Sequence, residues 1–117
     1  MKLTSSRICR PLAENVALCE ILTTRVADPL LIRQVEQELL KFAEKETFKY
    51  MLLDCGRVKE YSSMFFSMLL RLKKALEPKA TLRVCSMSKE MSKGFKACKL
   101  DSIIPCYETV QDGLAGR

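Results

Sequence analysis

Two adjacent serines, Ser62 and Ser63, have the placement in this chain that could do the most chemistry. They open the segment Ser63 to Leu76, which reads as a helix that stops before Pro78, because proline cannot continue one. A hydroxyl at a helix N-terminus lies near unpaired N–H groups and the positive end of the helix dipole. It can serve as an N-cap, worth ~1 kcal/mol. It can also carry a phosphate of about −1.5 to −2 charge at pH 7, which the same N–H groups would hold. In a packed interface that charge meets desolvation and any acidic neighbours, so the hydroxyl can act as a switch. Capping is the commoner use of such a serine, and the residues alone leave both open.

Other chemistries find little support. The chain has no histidine, so Ser-His-Asp and Cys-His catalysis are impossible within it. Asp54, at the end of an apolar run, is the only carboxylate placed where open α/β sheets bind ligands. It has no evident base or metal ligand beside it and reads as a hydrogen-bond acceptor. The six cysteines, Cys9, Cys19, Cys55, Cys85, Cys98 and Cys106, form no Cys-x-x-Cys pair. A zinc site needs closer spacing, so six reduced, mostly buried thiols are expected. No catalytic residue, cofactor or metal is expected, and the chain reads as a non-enzyme.

The 117 residues suit one domain spanning 1–117. At 48% hydrophobic and 29% charged, the composition is that of a globular protein. The apolar runs are short; Met64-Phe65-Phe66 and Met68-Leu69-Leu70, for instance, are parted by Ser67. A membrane span needs ~20 apolar residues, and the first residues lack a signal-like apolar stretch. A cytoplasmic protein with no membrane association is expected. Net charge is +6, and the excess sits late. Between Arg71 and Lys99 the basic residues are Arg71, Lys73, Lys74, Lys79, Arg83, Lys89, Lys93, Lys96 and Lys99, against Glu77 and Glu90. Such a balance fits a solvated face or an anionic partner. Few aromatics interleave with it, which disfavours nucleic acid.

The elements that must position these residues follow from periodicity. Arg7 to Leu12, ending at Pro11, reads as an edge strand. Val16 to Leu22 reads as a buried strand, with Asn15 a turn residue before it. Asp28-Pro29 starts a helix, Asp28 as cap and Pro29 in the first position. Leu31, Ile32, Val35, Leu39 and Leu40 then recur at helical spacing, opposite Arg33, Gln37, Lys41 and Glu44. Tyr50 to Cys55 reads as a central parallel strand and Arg57 to Tyr61 as a loop. Thr81 to Ser86 is a further strand. Ser88 caps a helix through Cys98, which Gly94 weakens by ~1 kcal/mol relative to alanine. Ile103 to Tyr107 reads as an edge strand and Glu108 to Leu114 as a terminal helix. The order β-β-α-β-α-β-α-β-α gives an α/β fold: a single-domain, mixed but mostly parallel sheet covered by helices.

This order resembles the STAS domain, the family of bacterial anti-sigma factor antagonists, over roughly Ala17 to Leu114. Tyr50-Met51-Leu52-Leu53-Asp54-Cys55-Gly56-Arg57-Val58, then Glu60-Tyr61-Ser62-Ser63 and Leu69-Leu70-Arg71-Leu72-Lys73-Lys74, are similar to the family's apolar strand, its Asp-Ser-Ser-Gly turn and the helix after it. Leu82 to Ser88 and Lys99 to Pro105 are similar to its fourth strand, serine-led helix and proline-ended turn. The resemblance implies that a serine at the start of the second helix is phosphorylated by a partner serine kinase, the anti-sigma factor. The unmodified protein binds that partner and the phosphorylated one lets go. Carried over, the serine falls at Ser62, with Ser63 next. Tyr61 stands where the family has aspartate, Met64 where it has glycine, and Phe66 where a small residue is common. This makes the tip bulky and apolar, and Glu60, Tyr61, Met64 and Phe65 are its expected partner-binding residues.

The expected function is therefore a regulatory protein-binding module. Two alternatives stand beside it. One is a scaffold of the same fold, not phosphorylated, that self-associates as a homodimer through the apolar tip. The other, weaker, is a nucleic-acid binder using Lys73, Lys74, Lys79, Arg83, Lys89, Lys93 and Lys96.

Overall fold

In the computed structural model, which describes residues 2–10 and 15–116, the chain runs β1 (Thr4–Cys9), β2 (Val16–Ile21), β3 (Arg25–Val26), α1 (Pro29–Lys45), β4 (Tyr50–Asp54), β5 (Glu60–Tyr61), α2 (Ser63–Leu76), β6 (Thr81–Cys85), α3 (Lys89–Ala97), a 3-10 turn (Leu100–Ser102), β7 (Cys106–Tyr107) and α4 (Val110–Ala115). The main sheet has the order β1-β2-β4-β6-β7. β1 is antiparallel to β2, and every other pair in this sheet is parallel.

A strand covered on both sides must be apolar at successive positions, and β4 is: Met51, Leu52 and Leu53 are fully buried. Alternate residues then feed two cores. Ala17, Cys19, Met51, Leu53, Leu82 and Val84 face the side packed by α1, α2 and α3. Val16, Leu18, Leu52 and Cys85 face the other side, where Val110 and Leu114 of α4 pack.

The helices begin where side-chain oxygens can take up free N–H groups. Asp28 accepts from Leu31 N at 3.2 Å and starts α1, with Pro29 at its first position. Ile32, Val35, Leu39 and Ala43 are its buried stripe, while Arg33, Gln37, Lys41 and Glu44 are exposed. Ser88 accepts from Met91 N at 3.1 Å and starts α3. α2 buries Phe65, Phe66, Met68, Leu69, Leu72 and Leu76. Each such side chain contributes roughly 1.5–3 kcal/mol when removed from water.

The expected elements are present, with shifted bounds and three additions, β3, β5 and the 3-10 turn. The first strand is Thr4–Cys9, not Arg7 to Leu12; Pro11 and Leu12 lie outside the described residues. Thr4-Ser5-Ser6 is too polar to read as a strand. Its start is held by Glu38 of α1, whose carboxylate accepts from Leu3 N, Thr4 N and Thr4 Oγ1 at 2.9–3.0 Å. Glu60–Tyr61, expected as loop, pairs in parallel with Arg25–Val26 as a separate two-stranded ribbon. Two residues are too few for any alternation to be visible. The last strand is only Cys106–Tyr107. Ile103 is exposed, Ile104 is buried, and the Pro105 carbonyl takes Val84 N at 3.0 Å. The terminal helix starts at Val110, because Thr109 Oγ1 accepts from Asp112 N at 3.0 Å.

Candidate functional site

The start of α2 lies where β5 ends, beside the starts of α1 and α3. Ser62 occupies the N-cap position with extended backbone, but its side chain makes no cap bond. Its Oγ instead donates to the carbonyl of Ala27, just before α1, at 3.3 Å. The expectation that this hydroxyl caps its own helix is corrected in that respect: the position is the cap, the bond is not. Phe65 N donates to the Ser62 carbonyl at 3.0 Å and closes the turn. No acidic residue stands in the first turn of α2. By contrast α1, α3 and α4 all have side-chain caps. The positive end of α2 is thus left open to an acceptor from outside.

Ser63, the first helical residue, is exposed. Its carbonyl accepts from Ser67 Oγ at 3.5 Å. Met64 is 39% exposed. It lines a cleft of about 420 Å³ between α1 and α2 with Pro29, Ile32, Arg33, Ser67 and Arg71. The cleft is bridged by Arg71, which bonds Glu36 at 3.0 Å. That hydrogen bond raises the guanidinium pKa above its ordinary value.

Glu60 is exposed and pairs with Arg25 at 3.2 Å across the small ribbon; such an exposed pair contributes little to stability. Tyr61 is half-buried. Its hydroxyl donates to the Glu90 carbonyl at 3.3 Å, and its ring lies 5.3 Å from that of Phe66. The chain therefore brings Glu60, Tyr61, Ser62, Ser63 and Met64 together at one end. Phe65 is not part of that outward surface. It is fully buried, with its ring 6.3 Å from Phe66, and holds α2 to the sheet. Successive helical residues point about 100° apart, and at this turn Met64 lies on the outer side while Phe65 points into the core.

Three features of this end are not obvious in the sequence. The Ala27 carbonyl carries no residue-type signal. Leu30 is 63% exposed; its signal is phase, since it stands off the stripe through Ile32, Val35 and Leu39. Gly94 reads as a helix weakness, but a Cβ there would lie 2.9 Å from the Tyr61 hydroxyl and 3.2 Å from Phe66. Its lack of a side chain lets α3 approach the tip.

Asp54 lies on the other face of the sheet, in register with Glu20 and Cys85. Its Oδ1 accepts from Gly56 N at 2.9 Å, a turn contact. Among the described residues no three His, Cys, Asp or Glu side chains are grouped to hold a metal, and no helix is long and apolar enough to cross a membrane. The basic residues are divided. Lys73 pairs with Glu77 at 2.6 Å. Lys79 bonds the Ala43 and Glu46 carbonyls at the end of α1. Arg83 stacks on Tyr50 at 3.6 Å and donates to the Gly113 carbonyl, on the α4 side. Lys89, Lys93 and Lys96 lie on α3, across the sheet from Arg83.

The whole arrangement matches solved proteins. An anti-sigma factor antagonist (STAS) domain protein from Planctomyces limnophilus superposes with a TM-score of 0.76 at 19% identity, over 95% of each chain. An anti-sigma factor antagonist from Mycobacterium paratuberculosis gives 0.79 at 15% identity, over 97% of this chain and 92% of that one. No curated protein sequence matches. The STAS domain family matches residues 25–113, from β3 into α4, which takes in the whole candidate site. The chain belongs to the STAS domain family.

Proposed function

We propose that this chain is a non-enzymatic regulatory module of the anti-sigma factor antagonist kind. It docks a protein partner through the end formed by Glu60, Tyr61, Ser62, Ser63 and Met64, and a phosphate on a serine there releases it. One observation carries the reading: among the described residues, α2 is the one of four α-helices without a side-chain cap, and two serines stand at its open start. A phosphate at that point would be held by free N–H groups and the helix dipole. The same charge would confront whatever a partner packs against Met64. Of the two serines, Ser63 is the more accessible acceptor. Ser62 would have to give up its bond to Ala27 before its oxygen could be modified.

That bond also favours a second reading, a scaffold of the same fold that is not phosphorylated, with Ser62 serving only to tie two helix starts together. The experiment that separates them is incubation with the serine-kinase-like anti-sigma factors of the same genome and ATP, followed by mass-spectrometric mapping. Phosphate on Ser62 or Ser63 supports the switch. Its absence from both, with S62D and S63D binding partners as the unmodified chain does, supports the scaffold.

A further inference from the structure

We propose that the outer face of α3 is a docking surface for an acidic protein segment. Lys89, Lys93 and Lys96 are spaced i, i+4, i+7, which puts them on one stripe of the helix. Met91 and Phe95, on the opposite side, are fully buried, so the lysines point away from the protein. All three are exposed, as is Lys99 just beyond the helix.

Neither pairing nor local folding accounts for the stripe. Among the described residues these lysines have no ion pair, whereas Arg25, Arg57, Arg71 and Lys73 each meet a carboxylate. Like charges at these spacings repel one another. Lys89 also stands in the first turn, where the helix end is itself positive. Glu90, in the same turn, offsets only part of this positive charge, so the stripe presents a net positive field that attracts an acidic surface.

The chemistry favours an acidic protein surface. The only aromatic residue of α3 is the buried Phe95, so bases have nothing to stack on. The exposed side of α3 carries no large apolar residue to enter a bilayer. The first turn of α3 touches the tip directly, through the Tyr61 hydroxyl on the Glu90 carbonyl at 3.3 Å. A partner seated at Ser63 and Met64 can thus continue onto the lysines. In that sense the inference rests on the proposed docking at the tip.

The test is NMR titration of the full chain at physiological salt with a short synthetic peptide alternating glutamate and serine. The expected result is saturable shifts of the amides of α3. A variant carrying K89E, K93E and K96E should bind about tenfold more weakly. A control of equal net charge, carrying K2E, K41E and K45E, should change affinity by less than about twofold. Replacing the three α3 lysines by glutamine, which is milder for the fold, should give a loss in the same direction. Equal losses in both charge-reversed variants, or shifts away from α3, would overturn the proposal. So would tighter, α3-dependent binding of duplex DNA or of phosphatidylglycerol vesicles. Phosphate mapping at Ser62 and Ser63 is independent of this titration, so failure of the stripe and failure of the tip are distinguishable.

Discussion

The hydroxyl of Ser62 bonds the carbonyl of Ala27 across 3.3 Å, and so ties the start of α2 to the start of α1. Ser62→Ala removes one modest hydrogen bond and should cost about 0.5–1 kcal/mol. Ser62→Asp replaces a donor with an acceptor facing a carbonyl oxygen, and should cost about 1–3 kcal/mol. Urea unfolding of the two variants checks the order. Equal stability of both would show that the hydroxyl is not engaged. Ser63→Ala, at an exposed position, should stay within about 0.5 kcal/mol of the parent.

Gly94 and Tyr61 should behave as a coupled pair. Alanine is the better helix former by ~1 kcal/mol. Here a Cβ would meet the Tyr61 hydroxyl at 2.9 Å and Phe66 at 3.2 Å, and overpacking of this kind costs about 1–3 kcal/mol. Gly94→Ala should therefore destabilise, and less so in a Tyr61→Phe background, where the clashing oxygen is gone. A double-mutant cycle by thermal unfolding reads the coupling. Additive effects would mean that α3 and the tip do not touch as described.

Met64 and Phe65 are adjacent but do different things. Phe65→Ala opens the core and should cost about 3–5 kcal/mol. Met64→Ala, at a side chain 39% exposed, should cost under about 1 kcal/mol. It should weaken partner capture without loss of fold. Circular-dichroism melts beside a binding assay separate the two. Similar losses of stability would contradict the assignment of Met64 to the surface.

The thiols give a pH signature. Burial pushes Cys19 and Cys85 up to about 11, and it raises Cys55 further in the same direction. The folded state thus holds these protons more tightly than the unfolded chain, whose thiols titrate near 9.0. The stability they contribute is full below pH 9 and falls as pH rises from there toward 11. Thermal midpoints should drop across that window. In native protein iodoacetamide should label the exposed Cys98 first and leave Cys19, Cys55 and Cys85 protected. Early labelling of any buried thiol would show a looser core than described.

Much of this was legible in the sequence because it rested on strong local rules. Asp28-Pro29, Ser88 and the apolar run through Met51, Leu52 and Leu53 each dictate their element. The family resemblance rests on the Tyr50 to Val58 strand and turn, on Glu60 to Ser63 with the helix after it, and on Leu82 to Ser88 and Lys99 to Pro105. What the sequence hid was pairing over long separations. Nothing local marks Thr4 as a strand residue, since its place depends on Glu38. Nothing in Ser62 says that its hydroxyl turns to Ala27 rather than to its own helix, and the Glu60–Tyr61 ribbon depends on Arg25–Val26. In the sequence the turn reads as one surface that includes Phe65 with its neighbours. Helical phase sends Phe65 inward instead.

The central claim is that added charge at the start of α2 ends association with a protein partner. Its most direct test is calorimetric titration of a serine-kinase-like anti-sigma factor from the same genome with the unmodified chain, and with the chain phosphorylated at Ser62 or Ser63. The account predicts measurable binding of the unmodified chain and at least about tenfold weaker binding of the phosphorylated one, equivalent to about 1.4 kcal/mol. Equal affinity of the two forms, with both folded, would contradict it.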